Sequence, residues 1–311
     1  MSLAFVFPGQ GSQSIGMLDA MATEYSIVKE TFQQASEALA QDLWAIVSAG
    51  PQETLNQTEN TQPAMLAAGV AVWRVWQERG GEQPVMMAGH SLGEYTALVC
   101  AGSLDFTDAI TLVRDRGQFM QSAVPAGQGA MAAILGLKDD AVRGLCEQVA
   151  EGDVLSAVNF NSPGQVVIAG TAAAVERAVA QASEAGAKRA VTLPVSVPSH
   201  CALMHPAAEN MAKRLAEVTI HPPGIRVVHN ADVFIHDEAD AIRAVLVQQI
   251  EQPVRWVESV QHLVANGVDR IIECGPGRVL MGLNKRITKD AKTVAVYDPS
   301  SLDKALAEGV F

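Results

Sequence analysis

A serine set between two glycines constrains this chain most: Gly89-His90-Ser91-Leu92-Gly93-Glu94. Ahead of it, the short apolar segment Pro84-Val85-Met86-Met87-Ala88 reads as a strand. Behind it, Tyr95-Thr96-Ala97-Leu98-Val99-Cys100-Ala101 reads as a packed helix ending at Gly102. Strand, sharp turn and helix in that order form a nucleophile-elbow pattern. Such a turn strains the serine backbone and needs small residues two positions away on either side, which Gly89 and Gly93 supply. The Ser91 hydroxyl then stands at the positive end of the helix, where the Leu92 amide is free to hydrogen-bond a developing oxyanion. Ser91 is the candidate nucleophile. His90 projects away from its neighbour and is assigned a structural role.

The 311 residues are 49% hydrophobic and 18% charged, with a mean hydropathy of +0.15, which supports a large packed core. A formal net charge of -12 argues against nucleic-acid binding and gives no reason to expect a membrane surface. The start Met1-Ser2-Leu3-Ala4-Phe5-Val6-Phe7-Pro8 lacks a basic, long apolar leader, so a cytoplasmic protein is expected. Cys100, Cys146, Cys201 and Cys274 are far apart and suggest buried thiols, with neither a metal site nor a disulfide framework.

Leu3–Phe7 reads as a buried strand entering the glycine loop Pro8-Gly9-Gln10-Gly11-Ser12-Gln13. Ser14 stands where a dinucleotide fingerprint needs its third glycine, so nicotinamide and flavin binding are rejected. Helical sequence fills residues near 17 to 80, broken at Gly50-Pro51. The organisation changes at Pro125-Ala126-Gly127-Gln128-Gly129. Beyond it, strand 130–135, helix 139–150, strands 154–160 and 165–169 around the turn 161–164, helix 172–185 and strand 189–195 give a β-α-β-β-α-β order. The expectation is a ferredoxin-like unit of residues 127–195 inserted into a large α/β domain of residues 1–126 and 196–311, with a cleft between them. The strand 269–274 enters a glycine turn, Gly275-Pro276-Gly277, that is assigned to folding.

A serine nucleophile needs a base, and the sequence offers His90, His200, His205, His221, His229, His236 and His262 without selecting one. His200 follows the interdomain boundary and would suit a cleft-facing base. Arg116 is the second discriminating residue: three and four positions away stand Leu112, Val113, Phe119 and Met120, so it leaves an apolar helix face. A cation there needs an anion, either a substrate carboxylate or a protein one such as Glu94, and the internal ion pair is the favoured expectation.

Four motifs carry a family resemblance: Phe7-Pro8-Gly9-Gln10-Gly11-Ser12-Gln13, the Ser91 elbow, Asn159-Phe160-Asn161-Ser162-Pro163-Gly164-Gln165, and Pro198-Ser199-His200. Together they resemble the bacterial malonyl-CoA:acyl carrier protein transacylases, standalone acyltransferases of type II fatty acid synthesis, from about Leu3 to the helix after Gly277. The resemblance implies an α/β-hydrolase-like large domain with the ferredoxin-like insert. It also implies that Ser91 carries a malonyl ester, that His200 is the base, and that the Gln249 backbone carbonyl orients His200. Gln249 is placed by Pro253 and Trp256 downstream. The Gln10 and Leu92 amides would form the oxyanion hole and Arg116 would bind the malonyl carboxylate. The implied substrates are malonyl-CoA and the phosphopantetheine of acyl carrier protein, with no metal or other cofactor and a monomeric enzyme. Val197-Pro198-Ser199-His200 leaves malonyl against branched malonyl open, and a serine hydrolase or a silent carrier-binding module remain as other classes. Lys188, Arg189, Lys285 and Arg286 are candidates for docking an acidic carrier.

Overall fold

Five consecutive apolar residues, Leu3-Ala4-Phe5-Val6-Phe7, are all buried, as expected of a strand covered on both faces in a parallel sheet. A computed structural model describes residues 2–195 and 197–308. In chain order its strands are β1 (Leu3–Phe7), β2 (Met86–Gly89), β3 (Gly129–Leu135), β4 (Leu155–Ser162), β5 (Gln165–Thr171), β6 (Arg189–Thr192), β7 (Arg226–Val228), β8 (Arg270–Cys274) and β9 (Lys292–Val296). An all-parallel sheet in the order β7-β2-β1-β8-β9 has β1 at its centre. Helix Thr58–Glu78 packs on it, and Trp73 and Trp76 both meet the Phe5 ring edge-on at 5.2 Å between centroids. Each such pair adds about 1 kcal/mol to the area it buries.

The second sheet, β4-β5-β3-β6, is antiparallel throughout. Helices Asp139–Val149 and Ala172–Gln181 cover one of its faces, burying Ile134, Phe160, Val166 and Ile168. The alternating positions Met131, Val158, Val167 and Ala169 face the other way and pack against Cys201. β4 is tied to the large sheet's unit through residue 254: Phe160 N–H donates to the Val254 oxygen at 3.0 Å and Val254 N–H to Val158 at 2.8 Å. This is an α/β-hydrolase-like fold carrying a ferredoxin-like insert.

Several boundaries differ from the sequence expectation. The helix from Ala172 stops at Gln181 and β6 at Thr192, while β4 continues to Ser162 and leaves only Pro163-Gly164 to make the turn. β7 and β9 are additions: β7 has three residues, too few for alternation to show. Among the described residues no helix is long and apolar enough to cross a membrane. The cysteines are unpaired, three of them buried and Cys100 half-buried.

Candidate active site

β1 and β2 run parallel with Phe7 beside Gly89, so the turns leaving their carboxyl ends lie next to each other. That edge is where open parallel sheets bind ligands. The chain passes from β2 into helix Gly93–Cys100 through Ser91 at φ +51°, a left-handed conformation costing a non-glycine residue about 1–2 kcal/mol. No side chain fits at the shoulders of this turn. A Cβ on Gly89 would lie 1.9 Å from the Gly93 carbonyl, and one on Gly93 would lie 2.1 Å from the Phe7 oxygen. The loop after β1 is as close, since a Cβ on Gly9 would fall 2.5 Å from the His90 oxygen. Gln10 and Leu92 thereby share a cavity wall with Ser91, and no acceptor among the described residues takes either backbone N–H.

His200 lies with Nε2 2.8 Å from Ser91 Oγ and Nδ1 2.7 Å from the Gln249 carbonyl oxygen. A carbonyl only accepts, so the ring proton sits on Nδ1 and Nε2 is left to accept from the serine hydroxyl. His200 adopts φ +66°, and its N–H donates to the Ile250 oxygen at 3.1 Å. The residue is 3% exposed. Burial, followed by the Arg116 cation, pushes its pKa down from 6.5 to about 3, so the imidazole is neutral at pH 7.

Arg116, on helix Phe106–Ala123, is 1% exposed. Nη1 donates to Gln62 Oε1 at 2.8 Å, and Nη2 donates to Gln249 Oε1 at 3.0 Å and Ser91 Oγ at 3.2 Å. The guanidinium stands 5.4 Å from the Tyr95 ring centroid. The expected ion pair with Glu94 does not form. Three donors claim that buried carboxylate: His229 Nδ1 at 2.7 Å, Asn230 N–H at 2.9 Å and Gln249 Nε2 at 2.8 Å. Glu94 sits in the first turn of the elbow helix, where the segment after β7 reaches it before Arg116 does. Arg116 therefore makes no ion pair among the described residues, its Nε has no partner, and its acceptors are neutral oxygens. A buried cation left unpaired at a cavity wall is suited to an anionic ligand.

The cavity measures about 190 Å³ and joins Ser91, His200, Arg116, Gln10 and Leu92 to Met131 and Asn159 of the small sheet. Ser91, His200, Arg116, Gln10 and Leu92 thus line one cavity, with Gln249 bonded to His200 and Arg116. His90 also lines the cavity; its Nε2 donates to Asn161 Oδ1 at 2.8 Å and its ring packs 5.6 Å from Trp256. The turn Gly275-Pro276-Gly277 packs on the Pro8 and Ser12 side of the glycine loop.

Three contributions escaped the sequence reading. Asn230 accepts the Ser91 N–H on Oδ1 at 2.7 Å and donates from Nδ2 to the Gly89 oxygen at 2.7 Å, pinning both ends of the elbow. Gln62 and the side chain of Gln249 hold Arg116. The run Asn60-Thr61-Gln62 just before the apolar stretch Pro63–Trp73 was the available signal for Gln62, since buried polar groups need partners. Lys188, Arg189, Lys285 and Arg286 are all exposed. Arg286 donates to Gln165 at 2.7 Å, and the register Gln165–Leu135–Arg189 sets Arg189 two strands away, about 10 Å. Among the described residues no cluster of His, Cys, Asp or Glu could hold a metal ion.

Residues 4–299 match the acyl transferase domain family. The chain belongs to that family. Among its relatives, the malonyl CoA-acyl carrier protein transacylase of Escherichia coli (strain K12) is 59% identical to this acyltransferase over 303 residues, covering 97% of this chain and 98% of the relative. The acyl carrier protein S-malonyltransferase structure from Vibrio cholerae superposes with a TM-score of 0.96 at 59% identity, covering 98% of this chain and 99% of that one. A malonyl-transacylase solved in complex with a type II polyketide acyl carrier protein gives a TM-score of 0.98 at 55% identity, covering 99% and 100%.

Proposed function

We propose that this acyltransferase moves malonyl from malonyl-CoA to the phosphopantetheine thiol of acyl carrier protein through an ester on Ser91, supplying extender units for fatty acid synthesis. The observation that carries this reading is the buried, unpaired Arg116 guanidinium within hydrogen-bond reach of the Ser91 hydroxyl. Acyl transfer needs the serine and its base; only an acyl group with its own carboxylate needs the cation.

In the first half-reaction His200 Nε2 takes the Ser91 proton as Oγ attacks the thioester carbonyl. The oxyanion is received by the Gln10 and Leu92 N–H groups, each worth roughly 3 kcal/mol of barrier. His200 is a weak base at rest, but the forming negative charge opposes the effect of Arg116 and raises its proton affinity. The Gln249 carbonyl holds the Nδ1 proton and orients the ring. The C–S bond then breaks, His200 returns the proton to the coenzyme A thiolate, and malonyl remains on Ser91. In the second half the phosphopantetheine thiol gives its proton to His200 and attacks the ester, and Ser91 leaves with that proton. This is a ping-pong sequence requiring no metal or redox cofactor.

The same reading assigns residues 127–195 to the insert and residues 1–126 and 196–311 to the catalytic domain, and makes the protein a cytoplasmic monomer that binds neither nucleic acid nor membrane. The acidic carrier would dock where Lys188, Arg189, Lys285 and Arg286 flank one end of the small sheet. Initial-rate kinetics test the proposal. Parallel double-reciprocal lines for malonyl-CoA and holo carrier protein are expected; intersecting lines would require both substrates to bind together and would remove the acyl-enzyme.

A further inference from the structure

We propose that Glu94 is a positioning residue for acyl-group selectivity, fixing the Gln249 side-chain amide so that its oxygen, and not its NH2 group, faces Arg116. The inference rests on the reading of Arg116 as the carboxylate-binding residue. A glutamine amide has nearly the same shape in its two flipped orientations but opposite polarity at its ends. Beside a guanidinium the flipped form would set donors against donors. Two acceptors prevent the flip: Glu94 Oε2 takes one Nε2 hydrogen at 2.8 Å and the Ser91 carbonyl takes the other at 3.0 Å. Neither a carboxylate nor a carbonyl can donate in return, so Oε1 is left for Arg116 Nη2 at 3.0 Å.

Glu94 is itself fixed. It is fully buried and receives His229 Nδ1 on one oxygen and the Asn230 N–H on the other. The charge of the carboxylate thus reaches Arg116 across one amide. A direct ion pair would have occupied the guanidinium edge that a substrate carboxylate needs. The intervening amide steadies the cation and leaves Nε without a protein partner. Burial lowers the pKa of Arg116, and the nearby Glu94 carboxylate acts against that effect. Through Asn230, which accepts the Ser91 N–H, the same carboxylate also sets the nucleophile's turn.

The test is the ratio of the second-order rate constants for loading Ser91 from malonyl-CoA and from acetyl-CoA, followed by intact mass. Loss of folded protein lowers both rates equally and leaves the ratio unchanged. Glu94→Ala is expected to lower the malonyl-to-acetyl ratio by about tenfold or more, the worth of one charge-assisted hydrogen bond. Gln249→Leu, which keeps the backbone carbonyl for His200, should do the same and carries the test if Glu94→Ala does not fold. Glu94→Gln should recover the ratio, because its amide oxygen can accept the same two N–H groups. A wild-type ratio in Glu94→Ala and Gln249→Leu, or a Glu94→Gln ratio as low as that of Glu94→Ala, would overturn the proposal. Arg116→Ala separates the two levels: if it lowers the ratio while the Glu94 and Gln249 variants do not, only the Glu94 inference fails. If it leaves the ratio unchanged, the reading of Arg116 fails and takes the inference with it.

Discussion

Lowering the pH should leave Ser91 loading intact far below the range where an ordinary histidine stops acting as a base. His200 is buried beside the Arg116 cation, and its pKa is lowered from 6.5 to about 3, which corresponds to about 5 kcal/mol against protonation. At pH 5 an unperturbed histidine would be only about 3% neutral, whereas His200 remains almost wholly in the base form. Arg116 keeps its charge across this range. Single-turnover loading from malonyl-CoA, quenched and read by intact mass, should therefore stay within about twofold between pH 7.5 and pH 5. Because the folded pKa is depressed, the unfolded chain binds a proton here that the folded chain does not. The His200 contribution to stability is fully present above 6.5 and is lost as the pH falls toward 3. Arg116→Ala supplies the second arm, with acetyl-CoA as donor. Removing the cation favours protonated His200, so the acid limb must move up, yet stay below 6.5 because burial, the larger cause, remains. A half-loss of wild-type loading near pH 6.5, or a limb unmoved in Arg116→Ala, would refute the reasoning.

Two further perturbations address other parts of the site. Asn230→Ala removes an acceptor from the Ser91 N–H and a donor from the Gly89 oxygen, each worth about 1 kcal/mol. Loading should fall about tenfold or more and urea unfolding should shift to lower concentration; unchanged loading would mean that the elbow holds its shape alone. Reversing charge with Lys285→Glu and Arg286→Glu should raise the KM for carrier protein, most at low salt, with the loading half-reaction retained. Equal KM values at low and high salt would move the docking surface elsewhere.

The elbow was legible because it is local: a glycine spacing, an apolar run before it and a helix after it describe a turn whose contacts lie within a few residues. The insert was legible for the same reason, its alternating strands and two helices being consecutive. What the sequence hid lies across long separations. Glu94 and Arg116 look like a pair when only helix faces are considered, but Glu94 is taken by His229, Asn230 and Gln249, all more than a hundred residues away in the chain. Asn230 follows β7, a strand of three residues, so neither the strand nor the polar residue at its carboxyl end announced itself. Gln249 was placed for its carbonyl through resemblance, whereas its side chain, bonded to Arg116, Glu94 and Ser91, is a feature of packing alone.

The central claim is that Ser91 carries an acyl group whose carboxylate is held by Arg116 and whose destination is a carrier thiol. Its most direct test is the intact mass of the protein after mixing with malonyl-CoA, beside Ser91→Ala, followed by addition of holo acyl carrier protein. The account predicts one malonyl adduct, absent from Ser91→Ala and passed to the carrier when it is added. An adduct that persists in Ser91→Ala, or one lost to water at the same rate with and without carrier, would contradict it.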